Sequence, residues 1–132
     1  MYYELTIKVT EPDKNGNEKE VKEKYITNCL LFAQAECKGL EHCNNEGDVT
    51  GIKRSNVIEI VNSKGEGEAF YKAKVVYIFV DDNGNEKETL YYLLVAAKDV
   101  KQATERTLEH LKQGMEDMRL DGISKTKILE VI

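Results

Sequence analysis

The sequence predicts an α+β fold of two tandem ββαβ repeats with pseudo-two-fold symmetry, in which an antiparallel sheet carries two helices packed on one face. Three observations predict it. The hexapeptide Asn-Gly-Asn-Glu-Lys-Glu occurs twice, at residues 15–20 and 83–88, which indicates an internal duplication. Segments of alternating apolar and polar residues flank both copies, as in half-buried strands. Apolar residues at helical spacing then follow each strand pair.

Length and composition are typical of one globular domain covering residues 1–132. The chain is 41% hydrophobic and 33% charged, and its net charge of −5 argues against non-specific binding to duplex nucleic acid. The start of the chain lacks the features of a secretory signal, and no segment approaches the roughly 20 apolar residues that span a bilayer. Three cysteines cannot all pair with one another. We therefore expect a cytoplasmic protein with reduced thiols and no membrane partner.

Superposing Asn15 on Asn83 divides the chain into a first repeat (1–61), a polar linker (62–68) and a second repeat (69–132). In each repeat the hexapeptide begins in the turn of a hairpin. A three-residue loop at 14–16, with Gly16 in the left-handed conformation, places Val21 and Tyr25 on the apolar face of the first hairpin. A two-residue loop would place lysines there instead, so we predict the longer loop.

A helix follows each hairpin, and a closing strand at 51–61 or 122–132 ends each repeat. Asp99 is the predicted N-cap of the second helix, and Gln102 is placed as in a capping box. Leu31 occupies the cap position of the first helix, whose start is less well specified. The predicted apolar stripe of the second helix consists of Val100, Ala103, Thr107, Leu108, Leu111 and Met115.

Three short motifs carry a family resemblance: residues 70–75 (FYKAKV), residues 51–56 (GIKRSN) and the acidic-Asn-Gly turns. From Tyr3 to Val131 the chain resembles a family of uncharacterised proteins, a domain of unknown function found in gut bacteria of the Bacteroides group and in their phages and mobile elements. The resemblance implies a phage or mobile-element origin and a bacterial host cell. It assigns no functional residue. Members tend to have Ser or Thr where this chain has Leu31 and Ala33 at the start of the first helix.

The cysteines and histidines predict no metal site and no cofactor. Cys37, His42 and Cys43 lie close in sequence, but their spacing does not put three ligands on one helical face. Cys43 aligns with Leu111 and Cys29 with Ala97, which favours a structural role for both cysteines. Cys37 is the one cysteine that aligns with a polar residue, and nothing near it in sequence indicates a catalytic partner.

The two hairpins differ on the face opposite the helices. In the first repeat this face is polar, whereas in the second it is largely apolar. The covering element could be a loop or the second helix, but we favour an interface, because exposed apolar patches mark interaction sites. The predicted interface residues are Val76, Ile78, Leu90, Tyr92 and Leu94.

These observations predict a non-catalytic interaction protein, a homo-oligomer that associates through the hairpin of the second repeat. An alternative is a protein that binds a nucleotide or single-stranded nucleic acid through Lys72, Lys74 and Tyr92. An enzyme that uses Cys37 or a pair of carboxylates is the least supported class, because no catalytic constellation is visible in the sequence.

Overall fold

The computed structural model describes residues 1–114 and 117–132, and this part of the chain forms an α+β fold with two helices and two four-stranded sheets. The helices are α1 (Phe32–His42) and α2 (Val100–Lys112). The strands are β1 (Tyr2–Pro12), β2 (Glu18–Asn28), β3 (Asp48–Arg54), β4 (Val57–Ile60), β5 (Ala69–Val80), β6 (Glu86–Ala97), β7 (Met118–Lys125) and β8 (Ile128–Val131).

The chain divides into two compact units. Unit 1 comprises Met1–Ser55 and Lys127–Ile132, and its sheet has the order β3-β1-β2-β8. The neighbours β1, β2 and β3 are antiparallel, while β8 runs parallel to β2. Helix α1 packs against this sheet.

Unit 2 comprises Asn56–Thr126, and its sheet has the order β4-β6-β5-β7. Here β5 is antiparallel to both β6 and β7, and β4 runs parallel to β6. Helix α2 packs against β5, β6 and β7. Each unit is therefore one helix on one mixed sheet.

The sheets correct the prediction of one antiparallel sheet built from ββαβ repeats. The closing segment of each predicted repeat consists of two strands, and the second of them belongs to the other unit. After β3 the chain passes from unit 1 to unit 2 at Ser55–Asn56, and β4 pairs with β6. After β7 it returns to unit 1 at Thr126–Lys127, and β8 pairs with β2. The unit boundaries thus differ from the predicted linker (62–68), which lies inside unit 2. The expectation that the whole chain unfolds as one domain stays a prediction.

Both hairpin turns confirm the predicted three-residue loop. Val9 lies opposite Val21 and Leu5 opposite Tyr25, so the apolar residues share one face. The carboxylate of Asp13 accepts hydrogen bonds from two backbone N–H groups of the turn, and Gly16 has a φ of 81°. Asp81 and Gly84 repeat this arrangement with a φ of 79°. The repeated hexapeptide therefore begins within a turn.

The two helices begin differently, as predicted. The Asp99 carboxylate accepts a hydrogen bond from the backbone N–H of Gln102 at 2.8 Å. In α1 no polar side chain stands at the cap position; instead the Gln34 side chain accepts from the backbone N–H groups of Leu30 and Leu31, each at 3.1 Å.

The predicted stripe of α2 is correct only in its centre. Ala103 and Thr107 are fully buried and Leu111 is half-buried, but Val100 and Leu108 are 53% and 44% exposed. The last member of the predicted stripe, Met115, lies outside the described residues. Helical spacing alone gave too wide an apolar face, because the sheet covers a narrower strip of the helix centred on Ala103 and Thr107.

Candidate interaction surface and helix pockets

The hairpin β5–β6 presents to one side a set of side chains that we call the second face. Cross-strand pairing sets its order from the base of the hairpin to its tip: Lys72 opposite Leu94, Lys74 opposite Tyr92, Val76 opposite Leu90, Ile78 opposite Glu88, and Val80 opposite Glu86. Since alternate residues of a strand share a face, all ten point to the same side of the hairpin. The second face is basic toward its base, apolar in its middle and acidic toward its tip.

The structure divides the predicted interface residues into a buried and an accessible group. Val76 is 3% exposed and Leu94 is fully buried within this chain, so neither presents a free surface. Ile78 and Tyr92 are half-buried, and Leu90 is 51% exposed. Val80, which the sequence reasoning did not include, is 68% exposed. The accessible apolar patch is therefore Ile78, Val80, Leu90 and Tyr92.

The corresponding positions of the hairpin β1–β2 carry polar side chains or a proline, which cannot donate a backbone hydrogen bond to a further strand. Thr10 and Pro12 stand where β5 has Ile78 and Val80, and Lys22 and Lys24 stand where β6 has Leu90 and Tyr92. Proline has no N–H to offer a further strand. The apolar patch is consequently a property of one hairpin and is not required by the hairpin architecture.

The three residues predicted to bind an anionic ligand lie together at the base of the second face. Lys74 is directly opposite Tyr92 across the strand pair. The Lys74 ammonium lies 3.6 Å from the Asp121 carboxylate, and the Lys72 ammonium donates to the Asn56 side chain at 3.1 Å. A phosphate at this place would compete with these local partners.

The cysteines occupy three different environments. Cys29 and Cys43 are half-buried, and each thiol lies near a backbone carbonyl oxygen, that of Leu31 or of Leu40. Cys37 is exposed on α1. Within residues 1–114 and 117–132, no three His, Cys, Asp or Glu side chains are grouped so that they could hold a metal ion.

Each unit contains a histidine–glutamate pair that the sequence reasoning did not identify as a site. His110 near the end of α2 has its Nε2 atom 3.2 Å from Glu59 Oε1 on β4. His42 at the end of α1 has its Nε2 atom 3.9 Å from Glu130 Oε2 on β8. In both cases the helix and the parallel edge strand are far apart in the sequence. The pairs join each helix to the strand that crosses into its unit.

A pocket lies beside each pair, between the last turn of the helix and the sheet. In unit 1 the pocket has a volume of about 410 Å³. The ring of Tyr25 lines it and lies against the imidazole of His42, with ring centroids 4.5 Å apart and planes inclined at 59°. Tyr25 is 6% exposed, and its hydroxyl donates a hydrogen bond to the Glu23 carboxylate. Burial, and then the bond to Glu23, hold the pKa of this hydroxyl well above its usual value, so it stays neutral.

In unit 2 the corresponding pocket has a volume of about 320 Å³. Leu93 takes the place of Tyr25, opposite Ala73 as Tyr25 is opposite Leu5. The walls of the pocket are mainly apolar, and His110 and Glu59 both line it. A mainly apolar pocket with a few converging polar groups has the usual composition of a small-molecule site.

The histidine–glutamate pairs had a signal in the sequence. His42 aligns with His110, and Glu59 aligns with Glu130, so both members are retained in both repeats. Positions retained in an alignment of this kind indicate architecture, so the retention alone does not mark the pairs as a site. The strand crossing, which brings Glu59 to His110 and Glu130 to His42, has no local signal.

The fold and these sites define an α+β protein of two helix-on-sheet units, each with one parallel edge strand. The chain belongs to a family described as a domain of unknown function (DUF4494), whose model matches residues 1–132. No curated protein matches the sequence. Neither described helix has the length and the apolar character needed to cross a bilayer.

Proposed function

We propose that the chain is a non-catalytic interaction protein that forms a homo-oligomer through the second face of hairpin β5–β6. One observation carries the proposal: the order of charge and apolar character along this face is self-complementary. Lys72 and Lys74 lie at one end, Glu86 and Glu88 lie at the other, and Leu90 lies between them.

A two-fold axis through the apolar middle would place the basic end of one copy on the acidic end of its partner. Such isologous contacts are the commonest interfaces of homo-oligomers. Opposed charges at the rim set the orientation, while the apolar centre supplies most of the association free energy. In this arrangement Leu90 and Val80 supply exposed apolar side chains, and burying such a side chain contributes about 1.5–3 kcal/mol.

Sedimentation velocity over a range of protein concentrations tests this proposal. The wild type should form a dimer whose fraction rises with protein concentration. Leu90→Glu should raise the concentration at which half of the protein is dimeric by at least about tenfold, because it places a carboxylate in the apolar centre. Leu108→Glu is the matched control, since Leu108 is similarly exposed but lies on α2. A wild-type monomer at all accessible concentrations would overturn the proposal, as would equal effects of the two variants.

Charge reversal sharpens the test. The double variant Lys72→Glu and Lys74→Glu should weaken the dimer, and adding Glu86→Lys and Glu88→Lys should restore it by re-forming the complementary ends in reverse. If the fourfold variant still dimerised weakly while its circular dichroism spectrum was unchanged, that result would count against an isologous arrangement.

The same proposal includes an origin by internal duplication, with pseudo-two-fold symmetry between the repeats. It also includes a phage or mobile-element source in Bacteroides-group bacteria and a site of action in the host cytoplasm. The repeated hexapeptide and the alignment of the repeats support the duplication. The FYKAKV and GIKRSN motifs support the source.

A second candidate is a nucleotide or single-stranded nucleic acid bound at Lys72, Lys74 and Tyr92. It is supported by the position of Lys74 directly opposite Tyr92 across the strand pair, which places a basic residue next to a residue whose ring could stack on a base. Fluorescence anisotropy with a labelled oligothymidylate tests it. Binding must weaken as salt rises, because phosphate contacts release counterions, and Asp121→Asn should strengthen binding by freeing Lys74. Salt-independent binding would remove this candidate.

A further inference from the structure

The sheet of unit 2 extends beyond its helix on one side, and a groove follows the uncovered edge. Helix α2 packs against β5, β6 and β7, and β4 lies beyond β6 at the end of the strand order. Two cavities of about 670 and 320 Å³ lie between residues 58–62 and the side of α2, and His110 lines both of them. We call the two cavities together the β4 groove. β4 is thus an edge strand with an open channel between it and the helix.

The β4 groove has a strand wall and a helix wall of similar length. The strand wall consists of Ile58, Glu59, Val61 and Asn62, and the helix wall of Glu105, Arg106, Glu109, His110, Gln113 and Gly114. Asn62 and Glu105 line one end, and Ile58 and Gly114 line the other. From the rise per residue of a strand and of a helix, each wall is about 13 Å long. A groove of this length holds about four or five residues of an extended peptide.

The end of the groove at Glu105 is acidic. Glu105 and Glu109 are both exposed and lie about one helical turn apart. The guanidinium of Arg106 donates to the Glu68 carboxylate, which already neutralises it. Like charges four residues apart on a helix repel each other, so this end favours a cationic side chain. In unit 1 the position of Glu105 is taken by Cys37, and the acidic pair therefore belongs to unit 2 alone.

The opposite end of the groove is apolar. Its cavity of about 320 Å³ is walled by Val75 and Leu93 of the sheet hairpin and by Leu111 and Met118. Transfer of an aliphatic side chain from water into such a cavity is favourable. A ligand that fits the whole groove therefore carries a positive charge at one end and an apolar side chain at the other.

We propose that the β4 groove binds an extended segment of a partner protein, which adds to the outer edge of β4 as a further strand. An edge strand offers backbone groups to such a segment, and side-chain pockets then select its sequence. Alternate residues of the added strand point to the same side, so a basic residue reaches Glu105 and Glu109 while an apolar residue two positions away enters the apolar cavity. The proposal does not depend on self-association through the second face.

The direction of β4 sets the order of the two residues in the partner segment. β4 runs from the apolar end of the groove at Ile58 toward the acidic end at Asn62. Antiparallel pairing is the more stable arrangement, so the segment runs the opposite way. The partner sequence is consequently a lysine or arginine, any residue, and then an aliphatic residue.

A titration of the full chain with the peptide acetyl-STKVLTS-amide tests the proposal by two-dimensional amide NMR. We expect saturable shifts in β4 and along α2, with one equivalent bound and an affinity that falls as salt rises. The peptide acetyl-STEVLTS-amide, which carries a carboxylate in place of the ammonium, should bind at least about tenfold more weakly.

Charge reversal on the helix wall makes the test specific. The double variant Glu105→Lys and Glu109→Lys should reverse the preference, so that the glutamate peptide binds more tightly than the lysine peptide. The matched control is Glu36→Lys with Glu41→Lys, because it makes the same change in net charge at exposed positions of α1. This control should leave the affinity for the lysine peptide unchanged at moderate salt.

N-methylated peptides test the addition of a strand. Alternate residues of an antiparallel strand direct their N–H groups toward the neighbouring strand, so N-methylation at one of two successive residues should abolish binding and at the other should leave it. Equal tolerance at both residues would contradict the proposal. So would the absence of saturable shifts, shifts confined to β7 or to the second face, or equal effects of the two double variants. If the concentrated chain alone showed the same shifts in β4 and α2, the occupant would be a second copy, and the proposal of a partner protein would be wrong.

Discussion

Units 1 and 2 use the same strand order and the same turn but fill the space between helix and sheet with opposite combinations of side chains. In unit 1 the large Leu5 on β1 faces Gly39 on α1; a Cβ atom added to Gly39 would come within 2.9 Å of Leu5 Cδ2. In unit 2 the corresponding residues are Ala73 and Thr107, both fully buried. The large residue is on the strand in one unit and on the helix in the other.

The helix-to-sheet spacing is therefore set by pairs of residues and not by single positions. Protein interiors are close-packed, so a bulky residue on one side requires a small residue on the other. The pockets also differ in their lining, since Tyr25 in unit 1 corresponds to Leu93 in unit 2. The second faces differ in the same way, since Lys22 and Lys24 correspond to Leu90 and Tyr92.

The largest expected effect tests the strand crossing. Ile128 on β8 is 5% exposed in unit 1 and its counterpart Val57 on β4 is 3% exposed in unit 2. Ile128→Ala should lower the free energy of unfolding by about 2–5 kcal/mol, because it leaves a cavity beneath the parallel edge strand. Although Ile128 belongs to the second repeat, native-state hydrogen exchange should show the loss of protection mainly in β1 and β2.

Val57→Ala is the reciprocal control for this prediction. It lies in the first repeat, and the loss of protection should fall mainly in β5 and β6. If either variant instead loosened the hairpin of its own repeat, the crossed pairing of β4 with β6 and of β8 with β2 would be contradicted.

The turns and strand registers could be predicted from the sequence because their causes are local. Gly16 and Gly84 permit the left-handed conformation that the loop needs, and alternating side chains select one register. The capping of α2 by Asp99 was predictable for the same reason. These features depend on residues only a few positions apart.

The strand crossing could not be predicted, because the two candidate strands are nearly interchangeable. Residues 57–60 read VIEI and residues 128–131 read ILEV, so both present similar side chains to either hairpin. Which edge each strand joins depends on contacts between distant parts of the chain. The histidine–glutamate pairs were missed for the same reason, since the sequence places Glu59 in a different repeat from His110.

A smaller effect is expected from exchanging the packing pair of unit 1 for that of unit 2. Gly39→Thr should destabilise the protein by about 1–3 kcal/mol, because the new Cβ meets Leu5 Cδ2 and the side chain is too large for the space. Leu5→Ala alone should also destabilise, by about 2–5 kcal/mol. The double variant reproduces the Ala73–Thr107 combination and should be more stable than the sum of the single effects predicts.

Urea unfolding of the four proteins in a double-mutant cycle measures this coupling. We expect a favourable coupling free energy of at least about 1 kcal/mol, within the range found for residues in contact. Gly39→Thr combined with Leu93→Ala is the control, since Leu93 lies in unit 2, and these two changes should add. Additive effects of Gly39→Thr and Leu5→Ala would show that the two residues do not determine the spacing together.

The smallest expected effect concerns an acid-sensitive contact that distinguishes the helices. In unit 2, Arg106 on α2 donates to the Glu68 carboxylate and to the carbonyl oxygen of Ala96, each at 2.5 Å. In unit 1 the corresponding Lys38 donates to the carbonyl oxygen of Asn28 at 2.8 Å. The hydrogen bond from Arg106, and next that from the Gly65 backbone N–H, hold the pKa of Glu68 below its usual value of 4.5. Only unit 2 therefore gains stability from a carboxylate at this point.

The sign of the pH dependence follows from this lowered pKa. Glu68 contributes its full stabilisation above about pH 4.5, and the contribution disappears as the pH falls through the depressed pKa of the folded state. Glu68→Gln should accordingly be less stable than wild type at neutral pH, and the difference should close on acidification below pH 4.5, measured by urea unfolding at each pH. Lys38→Met removes the corresponding carbonyl contact of unit 1 without involving a carboxylate. The loss in free energy of unfolding that it causes should therefore stay constant over the same pH range. A Glu68→Gln difference that does not change with pH would mean that the Arg106 contact acts through packing and not through charge.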